Sequence, residues 1–127
     1  MAQIIIAEDD ASMRQFLTLA LERAGHKVIA CEDGVAALRA VEAHTETNLL
    51  LADIVMPGMD GIELAKKSHE IIPELKIMFI TGFAAIAMNQ PPAPHGAGAD
   101  VATPPEVMAK PFHLKDLVNR VEQLLAA

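Results

Sequence analysis

Residues 49–61 read LLLADIVMPGMDG, and this stretch contains the unit on which the fold is built. The run from Leu49 to Ala52 is apolar and shorter than a typical helix, which favours a strand buried on both faces. Asp53 ends the run, and a proline–glycine turn follows it. A helix is predicted from about Ile62 to Ile72, where Pro73 stops it. The stretch therefore predicts a strand, a carboxylate at its end, a tight turn and a helix.

The same alternation extends outward in both directions along the chain. Short apolar runs of strand length recur at Ile4–Ala7, Val28–Ala30, Ile77–Ile80 and Val107–Met108. Several of the other segments carry apolar residues at helical spacing, and the last of them has one apolar stripe formed by Leu114, Leu117, Val118, Val121, Leu124 and Leu125. Strands that alternate with helices predict an α/β fold, with a doubly wound parallel sheet covered by helices on both faces.

The composition limits the class of protein. The chain has 127 residues and a formal charge of −7, and 52% of its residues are hydrophobic. This fits one globular domain, which we take as residues 1–127 with no output domain. The acidic balance argues against nucleic acid and anionic membranes as partners, since their phosphates would be repelled. The single cysteine, Cys31, fits a reducing cytoplasm, and no basic segment of a signal peptide precedes the first apolar run.

One region departs from the alternation. Residues 77–99 contain no Asp, Glu, Lys or Arg, but polar residues and prolines interrupt the apolar run, so we predict a buried strand leading into a loop and no membrane span. Between residues 88 and 105 the chain is rich in proline. Because proline fixes φ and removes a backbone donor, we expect an exposed loop there instead of a regular helix.

Carboxylates and a hydroxyl follow the predicted strands directly, at Glu8, Asp9, Asp10, Asp53 and Thr81. The carboxyl ends of parallel strands meet at one edge of a sheet, which is where open α/β proteins place their sites. Carboxylates this close disfavour ionisation unless a cation offsets their charge, and an all-oxygen ligand set suits Mg²⁺. Asp10 or Ser12 could instead cap the following helix, which would account for one acidic residue but not for all of them.

Three side chains have the chemistry that phosphoryl transfer needs at such an edge. Asp53 beside Mg²⁺ can act as a nucleophile toward phosphorus. Thr81 can donate its hydroxyl to a phosphoryl oxygen, and Lys110, at the end of a short apolar run, could counter the charge of that group. Taken singly, Thr81 also fits an ordinary strand-end residue and Lys110 a solvated lysine. The dispersed cations, Arg14 among them, are expected on solvated faces.

In this order, the elements resemble the receiver domain of two-component response regulators over nearly the whole chain. The residues that carry the resemblance are Glu8–Asp9, Asp53 with the Met-Pro-Gly-Met-Asp-Gly turn, Thr81 and Lys110-Pro111-Phe112. The resemblance implies a five-stranded parallel sheet of the flavodoxin or CheY type, in the order 2-1-3-4-5. It also implies a phosphorylation-controlled signalling switch, not an enzyme, that takes its phosphoryl group from a histidine kinase or a phosphotransfer protein.

Carried over by position, the resemblance implies a role for each site residue. Asp53 would be the phosphoacceptor, and Thr81 and Lys110 would contact the phosphoryl group after its transfer. Mg²⁺ would be held by Glu8, Asp9, Asp53 and the backbone carbonyl of Val55.

Three features bear on how such a switch would be read out. Receivers often have an aromatic switch residue where this chain has Val107, so the readout of phosphorylation is expected to differ. The fourth helix of the family, part of a face through which receivers commonly dimerise, is expected to be shortened or replaced by the proline-rich loop at 88–105. The apolar residues Val55 and Phe83, two positions after the phosphoacceptor and the switch hydroxyl, should hinder water and give a phosphorylated form that lasts minutes or longer.

Some segments are more particularly similar to CpdR-type receivers, which are single-domain adaptors of the ClpXP protease controlled by phosphorylation. These segments are Ile54–Pro57, Ile80–Ala85 and Lys110–Leu114. A mid-relay phosphate carrier and a binding module that works without phosphorylation are the alternatives. A phosphatase of the haloacid-dehalogenase type is not favoured, because Val55 occupies the position where such an enzyme needs a second aspartate.

Overall fold

The computed structural model describes residues 2–81, 106–109 and 112–126, which form five strands and four helices. The strands are β1 (Gln3–Ala7), β2 (Lys27–Cys31), β3 (Leu49–Asp53), β4 (Lys76–Thr81) and β5 (Glu106–Ala109). The helices are α1 (Ala11–Arg23), α2 (Gly34–Ala43), α3 (Gly61–Ile71) and α4 (Leu114–Ala126). The predicted proline-rich loop at 88–105, and with it the prediction about the fourth helix of the family, lies outside the described residues.

The sheet is parallel throughout, and its strand order is β2-β1-β3-β4-β5. This confirms the predicted doubly wound architecture. In the register of the central strands Ala7 lies beside Ala52, and Asp53 lies beside Ile80. The carboxyl ends of β1, β3 and β4 are therefore level with one another, and the polar residues at those ends share one edge of the sheet.

Side chains of the central strands alternate between two cores, one on each face of the sheet. Ile5 and Ala7 of β1 belong to the core covered by α2 and α3, whereas Ile4 and Ile6 belong to the core covered by α1 and α4. All four residues are fully buried. Because helices cover both faces, these strands have no polar side, which is why continuous apolar runs predicted them.

Aspartates begin three of the helices. The carboxylates of Asp10, Asp33 and Asp60 each accept a hydrogen bond from the backbone N–H three residues later, at 2.8–3.0 Å. These bonds satisfy donors that the first turn of a helix leaves without intrahelical partners. At the other end of α1, Gly25 adopts a φ of +99°, the left-handed conformation typical of a glycine that ends a helix.

The helix boundaries differ slightly from those predicted. α3 begins at Gly61 and ends at Ile71, one residue earlier at each end than the apolar pattern indicated. The earlier start follows from the cap, because the Asp60 carboxylate places the first helical residue directly after it. Within residues 2–81, 106–109 and 112–126, no helix is long and apolar enough to cross a membrane.

Candidate functional site

A cluster of three carboxylates lies at the carboxyl edge of the two central strands. Glu8 follows β1, and Asp53 is the last residue of β3, so the pairing of Ala7 with Ala52 brings them side by side. Carboxylate oxygens of Glu8, Asp9 and Asp53 all lie within 4.8 Å of one another. Glu8 is fully buried and Asp53 is 5% exposed, whereas Asp9 is exposed to solvent. The predicted carboxylate site is thus assembled from two strands, with one open side.

The dimensions and chemistry of this cluster fit Mg²⁺. An octahedral Mg²⁺ ion has ligand distances of about 2.0–2.1 Å, which places its direct ligand oxygens about 3–4 Å apart. The 4.8 Å span accommodates two direct carboxylate ligands and a third that acts through a water molecule. Mg²⁺ keeps several waters in most protein sites, and the exposed side at Asp9 leaves room for them.

Hydrogen bonds hold the loop that carries the first two carboxylates. The Glu8 amide donates to the carbonyl of Cys31 at 3.1 Å, which ties the end of β1 to the end of β2. The Asp10 amide donates to Oε2 of Glu8 at 3.0 Å, so the buried glutamate also orients the backbone that follows it. Asp10 itself caps α1. The two predictions for the acidic run therefore hold for different residues: Asp10 is the cap, and Glu8 and Asp9 belong to the cluster.

Arg14 is the residue of this region that the sequence analysis missed. We expected it on a solvated face, but its Nη1 donates to the backbone carbonyl of Glu8 at 2.8 Å, and its side chain is only partly exposed. The expectation was wrong because spacing alone does not show that the side chain reaches back toward the start of α1. Side chains on a helix do point toward its N-terminus, and that direction is the signal that could have identified the contact.

Close packing shapes the loop after Asp53. A Cβ atom on Gly61 would lie 2.3 Å from the carbonyl oxygen of Asp53, so no other residue fits there without displacing the backbone of the site. The φ of Gly61 is not positive, so the close approach of the backbone, and not an unusual backbone conformation, requires glycine at this position. In the turn, Gly58 does have a positive φ, at +79°. The amide of Val55 donates to Oδ1 of Asp53 at 3.2 Å and orients that carboxylate.

The second helix also packs tightly against this loop. A Cβ on Gly34, the first residue of α2, would lie 2.5 Å from the carbonyl oxygen of Met59 and 2.9 Å from its Cβ. Met56 is buried, with 7% exposure, and Met59 packs against the same core. These methionines therefore anchor the turn, and the loop from Ile54 to Asp60 is held between two helices and the sheet.

Of the hydroxyl and the ammonium predicted for the site, the structure describes only the hydroxyl. Thr81 ends β4, is 3% exposed, and is the next residue after Ile80, the register partner of Asp53. Its placement agrees with the predicted edge. Lys110 lies outside the described residues. Val107, at the position of the family's aromatic switch residue, lies on β5 beside Phe79 and is 37% exposed.

Burial raises the pKa of the Cys31 thiol at the end of β2, and the nearby Asp33 carboxylate raises it further, while the charge of Arg14 acts in the opposite direction. Cys31 is buried, with 8% of its surface exposed. Cys31 therefore keeps its proton at neutral pH and behaves as part of the core beneath the acidic loop.

Comparison with known proteins defines the class to which this fold and site belong. The sequence profile of the response regulator receiver domain matches residues 4–122, and the chain belongs to that family. Among individual proteins, it is 50% identical over 127 residues to the response regulator receiver protein CpdR of Brucella abortus (strain 2308), covering 100% of this chain and 99% of that protein. It is thus homologous to a receiver protein of matching length.

Other relatives carry the same domain within larger proteins. The chain is 33% identical over 127 residues to part of the sensor kinase CckA of Brucella abortus (strain 2308). The match covers 98% of this chain but 12% of that kinase. Among solved structures, it is similar to a response regulator receiver protein from Sinorhizobium medicae WSM419, with a TM-score of 0.82 and 28% identity over 99% of this chain and 95% of that one. These similarities place the chain in bacterial two-component signalling.

Proposed function

We propose that this protein accepts a phosphoryl group on Asp53 and changes its binding to partner proteins in response. The observation that carries the proposal is the acidic cluster, in which carboxylate oxygens of Glu8, Asp9 and Asp53 lie within 4.8 Å. The carboxylates of Glu8 and Asp53 are buried together, although the desolvation of each one costs free energy. Mg²⁺ binding and phosphoryl transfer would account for keeping them there.

The chemistry would take place at the Asp53 carboxylate. One of its oxygens would attack the phosphorus of a phosphohistidine, and a P–O bond would form as the P–N bond breaks and its electron pair returns to the imidazole nitrogen. The Val55 amide, bonded to Oδ1 at 3.2 Å, fixes the rotation of the carboxylate for that attack. Glu8, Asp9, Asp53 and the carbonyl of Val55 would hold Mg²⁺. When bound, this ion would neutralise charge on the phosphoryl oxygens.

After transfer, Thr81 and Lys110 would contact the phosphoryl group. Thr81 is buried one residue beyond the register partner of Asp53, so a short movement would bring its hydroxyl to a phosphoryl oxygen. Lys110 follows Ala109, the register partner of Thr81, along the chain. Val107 has no aromatic ring that could rotate when the protein is phosphorylated. We therefore propose that the readout of phosphorylation depends on Thr81 without the usual aromatic partner.

The proposed partners are a histidine kinase or phosphotransfer protein upstream and a protein target downstream. The similarity to CpdR over nearly the full length of that protein supports a single receiver domain over residues 1–127 and an adaptor role toward the ClpXP protease. We propose a cytoplasmic signalling protein and not an enzyme, since the position two residues after Asp53 holds Val55 and offers no general acid.

The experiment that tests the switch follows backbone amides by ¹H–¹⁵N NMR as phosphoramidate, a donor with a P–N bond, is added to protein already saturated with Mg²⁺. We expect the signals of Asp53, Thr81 and β5 to shift in the wild type and to stay unchanged in Asp53→Asn. A binding module that works without phosphorylation would show no shift in either protein. A mid-relay carrier would show the shift and would also return the group to a histidine phosphotransfer domain.

A further inference from the structure

Arg14 makes the contact that links α1 to the acidic loop. Its Nη1 donates to the carbonyl oxygen of Glu8 at 2.8 Å, and its backbone amide donates to the carbonyl of Asp10 at 2.9 Å. The carbonyl of Glu8 belongs to the peptide unit between Glu8 and Asp9. A rotation of that peptide would move the Asp9 carboxylate relative to the other two, so the guanidinium restrains the geometry of the cluster.

Asp9 depends on the backbone for its position. It is exposed, and among the described residues its carboxylate has no hydrogen-bond or ion-pair partner, whereas the Glu8 carboxylate is buried and accepts a bond from the Asp10 amide. The restraint on the Glu8–Asp9 peptide therefore matters most for Asp9, the carboxylate on the solvent side of the cluster.

The positive charge of Arg14 lies near the N-terminus of α1, where it interacts unfavourably with the helix dipole. Arg14 is the fourth residue of α1, and the first turn of that helix contains no acidic residue. Cations oppose the helix dipole near an N-terminus, where acidic side chains are stabilising. A residue that breaks a local preference in this way is expected where it serves a site.

We infer that Arg14 is a positioning residue of the Mg²⁺ site, which holds the Glu8–Asp9 peptide so that Asp9 faces the ion. This inference rests on the proposed function, because it concerns the same cluster. Two effects compete when the guanidinium is removed. Loss of the bond from a charged donor loosens Asp9 and weakens Mg²⁺ binding, whereas loss of the positive charge near the cluster strengthens it. The bond is direct, while the charge acts through solvent at the open side, so the positional effect dominates.

The test measures Mg²⁺ affinity without any phosphodonor. Because the chain has no Trp or Tyr to report binding, Mg²⁺ is titrated against ¹⁵N-labelled protein and the amides of residues 8–10 and 53 are followed. We expect Arg14→Met to weaken binding about five- to tenfold. Arg14→Lys keeps the charge but not the planar fork, and we expect an intermediate affinity.

The matched control is Arg23→Met. Arg23 is exposed at the end of the same helix, about 13 Å along the axis from Arg14, and its replacement should leave Mg²⁺ affinity unchanged. A purely structural role for Arg14 would lower the melting temperature equally with and without Mg²⁺. A positioning role also reduces the increase in melting temperature that Mg²⁺ produces.

The outcomes separate this inference from the proposed function. Equal or tighter Mg²⁺ binding by Arg14→Met, with normal binding by the wild type, overturns the inference and leaves the proposed function intact. Absence of Mg²⁺ binding by the wild type overturns both. If Arg14→Met fails to fold, as judged by the dispersion of its amide signals, the Arg14→Lys variant provides the test. Wild-type Mg²⁺ affinity in Arg14→Lys would contradict a positioning role for the planar guanidinium.

Discussion

Val55 is an apolar side chain that remains 62% exposed two residues after the candidate phosphoacceptor. Its amide donates to Oδ1 of Asp53, so the backbone of Val55 is held at the site and its apolar side chain is exposed beside it. An isopropyl group has no donor or acceptor with which to place a hydrolytic water. The residue is therefore well placed to protect an acyl phosphate.

We predict a phosphorylated form that lasts minutes or longer, with a lifetime about three- to tenfold shorter in Val55→Asn, since an amide side chain can hydrogen-bond a water beside the phosphorus. The decay would be followed by intact-mass spectrometry after the phosphodonor is removed by rapid desalting. Val35→Asn, a change at another exposed valine on α2, is the control and should not alter the decay. A wild-type lifetime of seconds would contradict the prediction.

Cys31 provides a second prediction at the residue scale. Burial raises its pKa above the ordinary value of 9.0, so the native state holds the proton at a pH where the unfolded chain releases it. The stability that depends on this difference is fully present below pH 9.0 and is lost as the pH rises through the native pKa.

We therefore expect the free energy of unfolding to fall above about pH 9 in the wild type, and to fall less steeply in Cys31→Ala. Urea unfolding at a series of pH values would measure this. Slow reaction of the native thiol with a disulfide reagent at pH 8, accelerated by urea, is the matching chemical test. Rapid labelling of the native protein would show that the thiol is not protected as the structure implies.

At the scale of secondary-structure elements, two glycines control how closely helices approach the loop after Asp53. A Cβ on Gly61 would overlap the Asp53 carbonyl and a Cβ on Gly34 would overlap Met59, so both helices begin close against this loop. Neither contact depends on a positive φ. The space, and not the backbone conformation, is what requires glycine at these positions.

Gly34→Ala is predicted to destabilise the protein by about 1–3 kcal/mol, because the new Cβ would meet the backbone of Met59 and neither group can rotate away. The gain in helix propensity from alanine, up to about 1 kcal/mol, offsets only part of this. Urea unfolding measures the change, and Val35→Ala at the neighbouring exposed position should stay within about 0.5 kcal/mol. Wild-type stability in Gly34→Ala would mean that α2 can shift freely relative to the loop.

The same elements show what can be predicted from sequence and what cannot. Strands buried on both faces appear as continuous apolar runs, so β1, β3 and β4 were identified together with the carboxylates and hydroxyl at their ends. The close approach at Gly61 depends on how tightly α3 packs against the end of β3, and the contact of Arg14 depends on the direction of one side chain. Those quantities are set by tertiary packing, and spacing along the sequence does not encode them.

At the scale of the whole molecule, the parallel topology explains why residues so far apart in sequence form one site. The strand order places β1 and β3 side by side, and every strand points its carboxyl end to the same edge. Two covered faces make the sheet a rigid support, so a new dianionic group at that edge can bias surface loops more readily than the core.

Asp53 is the proposed phosphoacceptor of a Mg²⁺-dependent switch. Intact-mass spectrometry after incubation with acetyl phosphate, with and without Mg²⁺, tests it most directly on three proteins: the wild type, Asp53→Asn, and Asp116→Asn as a control at an exposed aspartate on α4. We expect the wild type and Asp116→Asn to gain one phosphoryl group only when Mg²⁺ is present, and Asp53→Asn to gain none. The same gain in Asp53→Asn, or a gain that is independent of Mg²⁺, would contradict it.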